Sequence, residues 1–164
     1  MDQILEWLPE TITVDGEWQG TLFRLYRIFE CDFKDTRRVF QALPVRWDTS
    51  ILPGERYEEG FWHLITRDNH KTRERLFEPK RAERLPWCGP TITNSHHEAV
   101  KVWDYNEGKK RVRTYILLDT RDYAIILERR QTRKRRIAFL ITAFHVDGPS
   151  IRRSLLRKYE NRLS

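Results

Sequence analysis

Between Thr21 and Phe33 the apolar residues Leu22, Leu25, Tyr26, Ile28, Phe29 and Phe33 recur every three or four positions, the spacing that lines one face of a helix packed on a core. Asp15 and Gly16 mark the turn before it. Val39 to Trp47 has extended character, and Pro44, which has no N–H for a sheet ladder, makes it an edge or irregular strand. Pro53 and Gly54 signal a turn. Phe61 to Arg67, an aromatic and β-branched run bounded by Gly60 and by Asp68 and Asn69, predicts a strand. Side chains alternate across a strand, so Phe61, His63, Ile65 and Arg67 share one face while Trp62, Leu64 and Thr66 share the other. On that pattern His63 and Arg67 face one pocket.

Lys71 to Leu85, rich in Arg, Glu, Lys and Ala, predicts a helix broken at Pro79 and ending before Pro86, with Arg73, Arg81 and Arg84 on its basic side. A turn at Cys88, Gly89 and Pro90 follows. Four strand-like runs come next: Ala99 to Tyr105, Val112 to Leu118, Tyr123 to Arg129 and Ile137 to Val146. Asn106 to Gly108, Asp119 to Asp122 and the charged stretch Arg129 to Arg136 join them as hairpins, which makes an antiparallel meander. The run IAFLITAFHV is apolar on both faces and belongs in the middle of the sheet. Asp147 or Ser150 can cap a last helix reaching Leu163, with Ile151, Leu155, Leu156, Tyr159 and Leu163 inward and Arg152, Arg153, Arg157 and Lys158 outward.

No internal repeat, flexible linker or low-complexity tract interrupts the 164 residues, a length that suits one domain. The expected fold is α+β: N-terminal helices packed on a curved antiparallel sheet of about four strands in a meander, closed by a basic C-terminal helix. Residues 1–38 form the helical N-terminal segment and residues 39–164 the core.

Charge now sharpens the picture. Lys and Arg number 31 against 24 Asp and Glu, a formal net charge of +7 that favours a polyanionic partner, set against a basic surface that only keeps the protein soluble. Arg far outnumbers Lys, and a planar guanidinium pairs bidentately with phosphate where lysine acts as a point charge. Six Trp, six Tyr and eight Phe supply enough buried area for a folded core despite 34% charged residues. Cys31 and Cys88 are far apart and fit no zinc spacing, so both are expected as buried thiols. The early acids of MDQILEWLPE fit no signal peptide, and no run approaches the ~20 apolar residues of a membrane span, so a cytoplasmic location is the default expectation.

Cleaving RNA without a metal needs a base for the 2'-hydroxyl proton, an acid for the leaving oxygen and cations for the charge on phosphorus. His63 is the leading candidate, set against an ordinary hydrogen-bonded core histidine. Thr142 and His145 interrupt the apolar central run, but parity sends them to opposite faces unless the strand bulges. Arg113 and Tyr115 share a strand face, either toward the same pocket or toward solvent, and Arg81 and Arg84 present neighbouring guanidiniums or a solvated helix face. The cluster ERRQTRKRR, which contributes Arg129, Arg133 and Arg135, reads as a phosphate-gripping hairpin loop or as a solubilising one. His96 and His97 diverge on a strand and have no third ligand at useful spacing, so no metal is expected, nor any cofactor. No GxGxxG, Walker A or GxSxG motif appears.

The order of GFWHLITR, the Arg-bearing RAERLPW, the RTYILL and YAIIL strands and LITAFHV before a basic helix with KYE resembles the BECR ribonuclease superfamily, which groups barnase, EndoU, colicin D and RelE-like enzymes, especially its phage-associated toxins. The resemblance runs from Val39 to the C-terminus. It implies a metal-independent endoribonuclease acting on tRNA or mRNA from the open face of an antiparallel sheet, neutralised by an antitoxin or immunity protein. His63 and Arg67 would match the first-strand His and Arg of that family, and Thr142 the polar residue of its last strand. Read from the residues together with the resemblance, the catalytic set is His63, Arg67, Tyr115, Thr142 and His145, and the nucleic-acid-binding set is Arg73, Arg81, Arg84, Arg113, Arg129, Arg133 and Arg135. A non-catalytic RNA- or DNA-binding module, or a phage-related protein-interaction domain, are the alternatives.

Overall fold

The computed structural model describes residues 3–164. Helix α1 (Trp18–Phe29) starts earlier than the apolar spacing alone indicates, because the Glu17 carboxylate accepts the free N–H groups of Gln19 at 2.8 Å and Gly20 at 2.7 Å. It buries Leu22, Leu25 and Phe29, then runs into a π-helical turn (Glu30–Lys34) that carries Phe33 into the same core. After the tight β1 (Val39–Phe40) and β2 (Leu43–Arg46) hairpin come α2 (Glu59–Trp62), β3 (Thr66–Asp68), β4 (Arg75–Phe77), α3 (Pro79–Glu83) and α4 (Leu85–Thr93). The chain then forms β5 (Val100–Asn106), β6 (Val112–Leu118), β7 (Tyr123–Gln131), β8 (Arg136–His145) and α5 (Pro149–Glu160).

The class is α+β, but the sheet is larger than a four-stranded meander. Strands β5 to β8 are consecutive antiparallel neighbours inside a curled, mixed six-stranded sheet of order β1-β2-β8-β7-β6-β5. The mixture arises because β2 lies parallel to β8, with Val45 opposite Ala138 and Arg46 opposite Phe139. The strand around Pro44 is therefore interior, not an edge. The missing N–H is tolerated because pairing with β8 begins one residue later, at Val45, and β1 forms the edge.

One sheet face packs on α1, α2 and α4 through a core that includes Leu25, Phe29, Phe61, Leu85 and Ile92 against Ile116, Ile125, Leu127 and Leu140. The other is covered at one end by α5, where Leu155 meets Trp103, Tyr115, Leu117 and Ile126. Strand β8 lies between β2 and β7 and contacts apolar material on both sides, which is why its sequence shows no polar face. In α5 the N-cap is Gly148 at φ 94°, with no side-chain bond from Asp147 or Ser150, and Ile151 and Leu163 stay exposed.

Two segments differ from their sequence patterns. Phe61 to Arg67 is not a strand: α2 ends at Trp62 and only Thr66–Asp68 is extended. Phe61, Trp62, Leu64 and Ile65 are all buried, a burial all round that alternation cannot deliver. The N–H groups of Glu59 and Gly60 are held by Ser50 O and Asp48 O, both at 2.8 Å, and these bonds start the helical turn. Lys71 to Leu85 is not one helix either. Asn69 Oδ1 accepts from Lys71 N at 3.0 Å and Thr72 N at 3.3 Å, an Asx-type turn that closes the β3–β4 hairpin with Arg73 at φ 62°. Pro79 and Pro86 each sit in the first turn of a new helix, where the absent N–H costs nothing. Residues Cys88, Gly89 and Pro90 lie inside buried α4 instead of forming a turn. Cys88 is buried as expected, whereas Cys31 is exposed. No helix among the described residues is long and apolar enough to cross a membrane.

Candidate active site

Strand β8 carries an irregularity that decides what faces the open side of the sheet. Leu127 of β7 pairs with Leu140, but the next residue back, Ile126, pairs with Thr142, so Ile141 is an extra residue in the ladder. Without this bulge Thr142 would share the core face of Ala138 and Leu140. With it, Thr142 and Phe144 emerge on the face of Phe139, the re-aiming that bulges provide. The bulge precedes both Thr142 and His145, so their opposite parity is unchanged.

Against this end of β8 stand α2, β3 and α3, and between them opens a cleft of about 630 Å³. His63 enters from the end of α2, Thr66, Arg67 and Asp68 from β3, and His70 from the hairpin after it. Arg81 comes from α3, Arg113 from β6, and Ile141, Thr142 and Phe144 from the bulged β8. His63 and Arg67 thus share a pocket as the sequence suggested, but through a helix end and a separate strand, and Thr66 joins them.

Arg81 ties these walls together. Its Nη1 donates to the carbonyl oxygens of His63, at 3.2 Å, and of Thr66, and to Thr142 Oγ1 at 3.3 Å. Thr142 Oγ1 in turn donates to His63 O at 2.9 Å. The guanidinium also lies 5.8 Å from the centre of the Phe144 ring. Burial pushes its pKa down from the ordinary arginine value, against the weaker opposing pull of Glu78, Tyr123 and Asp68. Among the described residues Arg81 has no ion-pair partner, and its Nε is buried without a hydrogen bond. A desolvated cation with no carboxylate within ion-pair distance, drawn only at longer range by Glu78 and Asp68, favours an anion beside it. Arg67 is paired with Glu78 at 2.9 Å, whereas Arg113 Nε stands 3.7 Å from Glu128, a carboxylate it shares with Arg111 and Arg130.

Other residues picked from sequence lie elsewhere. His145 borders an adjoining hollow of about 410 Å³ with Lys80 and Asp147, where burial and then Arg84 and Lys80 push its pKa down. Tyr115 is not brought to the cleft. It is buried beneath α5, stacked on Trp103 at 5.2 Å, bonded to Glu107 and accepting from Lys158 Nζ at 2.8 Å. Arg84 covers Trp87 and donates to Lys80 O at 2.9 Å, so it does not stand beside Arg81 in the cleft. Arg129 is held by Asp104 at 2.7 Å and by Gln41, a structural pair instead of a loop cation. Arg73 lines a shallow hollow with Asp68, Asn69 and His70, and Arg133 and Arg135 are exposed in the β7–β8 turn.

His70 and Asp68 were missed, since only the β3–β4 hairpin returns them to the cleft; the Asn-His turn pair after a strand was the available signal. No group of three or more His, Cys, Asp or Glu among the described residues is placed to hold a metal ion. Compared with known proteins, the chain matches no protein-family model, no curated protein and no solved structure.

Proposed function

We propose that this protein is a metal-independent endoribonuclease of the toxin type, which breaks RNA by attack of a 2'-hydroxyl on the adjacent phosphorus. The observation that carries the reading is Arg81, a desolvated and unpaired guanidinium in a cleft that also holds two imidazoles and two further arginines. The order of motifs that resembles BECR ribonucleases points the same way.

In this reading His63 accepts the 2'-hydroxyl proton as the oxygen bonds to phosphorus. His70, the other imidazole lining the cleft, gives a proton to the departing 5'-oxygen. The products are a 2',3'-cyclic phosphate and a 5'-hydroxyl. Arg81 faces the phosphoryl oxygens, where charge builds in the transition state, and Arg67 and Arg113 hold the neighbouring phosphates. An imidazole ring can act as either base or acid, so two of them in one cleft can serve both proton transfers.

The test is incubation of the purified protein with tRNA and mRNA in excess EDTA, beside His63→Ala and His70→Ala, with product ends identified. Cleavage to cyclic phosphate ends, slowed by about 10²- to 10⁴-fold in each variant, is the expected result. Intact RNA with salt-dependent binding would replace this reading with a non-catalytic RNA-binding module.

A further inference from the structure

We propose that the sheet face beside the cleft carries a second subsite, a shelf of Arg130 and Phe139 that holds a nucleobase and the phosphate flanking the scissile bond of a single-stranded RNA. The nature of the strand rests on the ribonuclease reading; the shelf rests on its own geometry. The Arg130 guanidinium lies over the half-buried Phe139 ring, 3.8 Å from its centre, across β7 and β8. Directly opposite Phe139 in the ladder is Glu128, which gathers Arg130 at 2.9 Å and Arg111 and Arg113 at 3.7 Å each. With Arg46 directly opposite Phe139 on β2, and Asp48 near Arg130, four guanidiniums face two carboxylates around this ring. Arg113 belongs both to this group and to the cleft wall, so the two are continuous.

The bulge at Ile141 sets the alignment. It puts Thr142 on the same face as Phe139, about 10 Å away along β8, a separation that an extended strand leaving the cleft can cover. Helix α5 packs on the Trp103 and Tyr115 part of this face, whereas Phe139 lies outside that cluster and stays half-buried. A guanidinium held over an aromatic ring can stack a base on its other side and offer its charge to the phosphate beside it. Such stacking accepts any base, so the shelf governs affinity and the length of RNA engaged and does not read sequence.

The experiment measures binding by fluorescence anisotropy across a salt series, with a fully 2'-O-methylated RNA of about ten nucleotides that cannot be cleaved. Wild type is compared with Phe139→Ala, Phe139→Trp and Arg130→Gln, each checked for native melting. Phe139→Ala should weaken binding by about tenfold or more with an unchanged salt slope, because stacking releases no counter-ion. Arg130→Gln should weaken binding and reduce the slope by about one, and Phe139→Trp should bind at least as well as wild type. A dinucleoside phosphate, too short to reach the shelf, should be cleaved equally by wild type and Phe139→Ala. Wild-type affinity in folded Phe139→Ala overturns the shelf, as does loss of its dinucleotide cleavage, which would make Phe139 a support of the cleft. Absence of any cleavage by wild type overturns the ribonuclease reading alone, since binding still decides the shelf.

Discussion

Thr142→Val tests the knot that holds the cleft walls in register. Valine keeps the shape and the β-branch that suit β8 but removes the hydroxyl that donates to His63 O at 2.9 Å and accepts from Arg81 at 3.3 Å. Neither partner is orphaned: His63 O keeps Arg81 Nη1 at 3.2 Å, and Arg81 keeps the carbonyl oxygens of His63 and Thr66. The loss is therefore that of two hydrogen bonds, one of them to a charged group, and amounts to about 2 kcal/mol, short of the larger penalty for a stranded buried group. In a chain of this size that corresponds to about 4–8 °C in Tm. The turn carrying His63 then keeps its bond to Arg81 on α3 but loses both hydrogen-bonded links to β8, the direct one and the one through Arg81. A displacement of about 1 Å at a proton-transfer group lowers kcat by about 10²-fold. Thermal unfolding followed by circular dichroism, with RNA turnover at a temperature where both proteins are fully folded, reads the two effects. An unshifted Tm would refute the account of Thr142 as a structural tie. A lowered Tm with wild-type turnover would refute the claim that the tie positions His63.

Three further outcomes follow from the same structure. Burial raises the Cys88 thiol to about 12, while Cys31 is exposed, so a thiol reagent at mildly alkaline pH should label Cys31 in the native protein and both cysteines only in denaturant; rapid labelling of Cys88 would contradict its burial. Gly60→Ala should destabilise by about 1–3 kcal/mol, because the new Cβ would stand 2.7 Å from Trp47 Cδ1 and 2.8 Å from its Cβ while Phe29 and Phe33 brace that indole; urea unfolding measures it, and an unchanged midpoint would show that Trp47 can move. His145 has its pKa lowered by burial and by Arg84 and Lys80, with Asp147 and Asp122 opposing, so below its unfolded value of ~6.5 the unfolded chain binds the proton more readily. The stability contributed by neutral His145 is present above that pH, declines as pH falls, and stops declining below the folded pKa. His145→Gln should lack that part of the acid-side loss, and parallel urea midpoints across this window would show it.

Much of the sheet was legible in the chain because hairpin partners are close in sequence. The run Val112 to Leu118 coincides with β6, and β5, β7 and β8 lie within a residue or two of their apolar runs. The two-sided apolar run of β8 correctly signalled a central strand. The parallel pairing of β2 with β8 was not legible, since it joins residues more than ninety positions apart and leaves no local pattern. The same limit explains the segment from Phe61 to Leu85. Aromatic and β-branched content favours a strand, yet α2 forms because Ser50, Asp48 and Trp47 lie over Gly60, and prolines that look like helix ends serve as helix starts. For the cleft, residue chemistry alone singled out His63, Arg67, Arg81, Arg113 and Thr142, because a histidine, a threonine or several arginines within apolar or aromatic runs stand out. Whether such residues meet depends on parity and on what covers each face. A single extra residue at Ile141 turned Thr142 toward His63, helix α5 closed over Tyr115, and Asp104 took Arg129. The chain by itself determined its charge, its β5 to β8 hairpins and the kinds of side chain available for chemistry. Only the tertiary structure decided which of them share a cleft, because a bulge, a long-range strand pairing and a covering helix are interactions between residues distant in sequence.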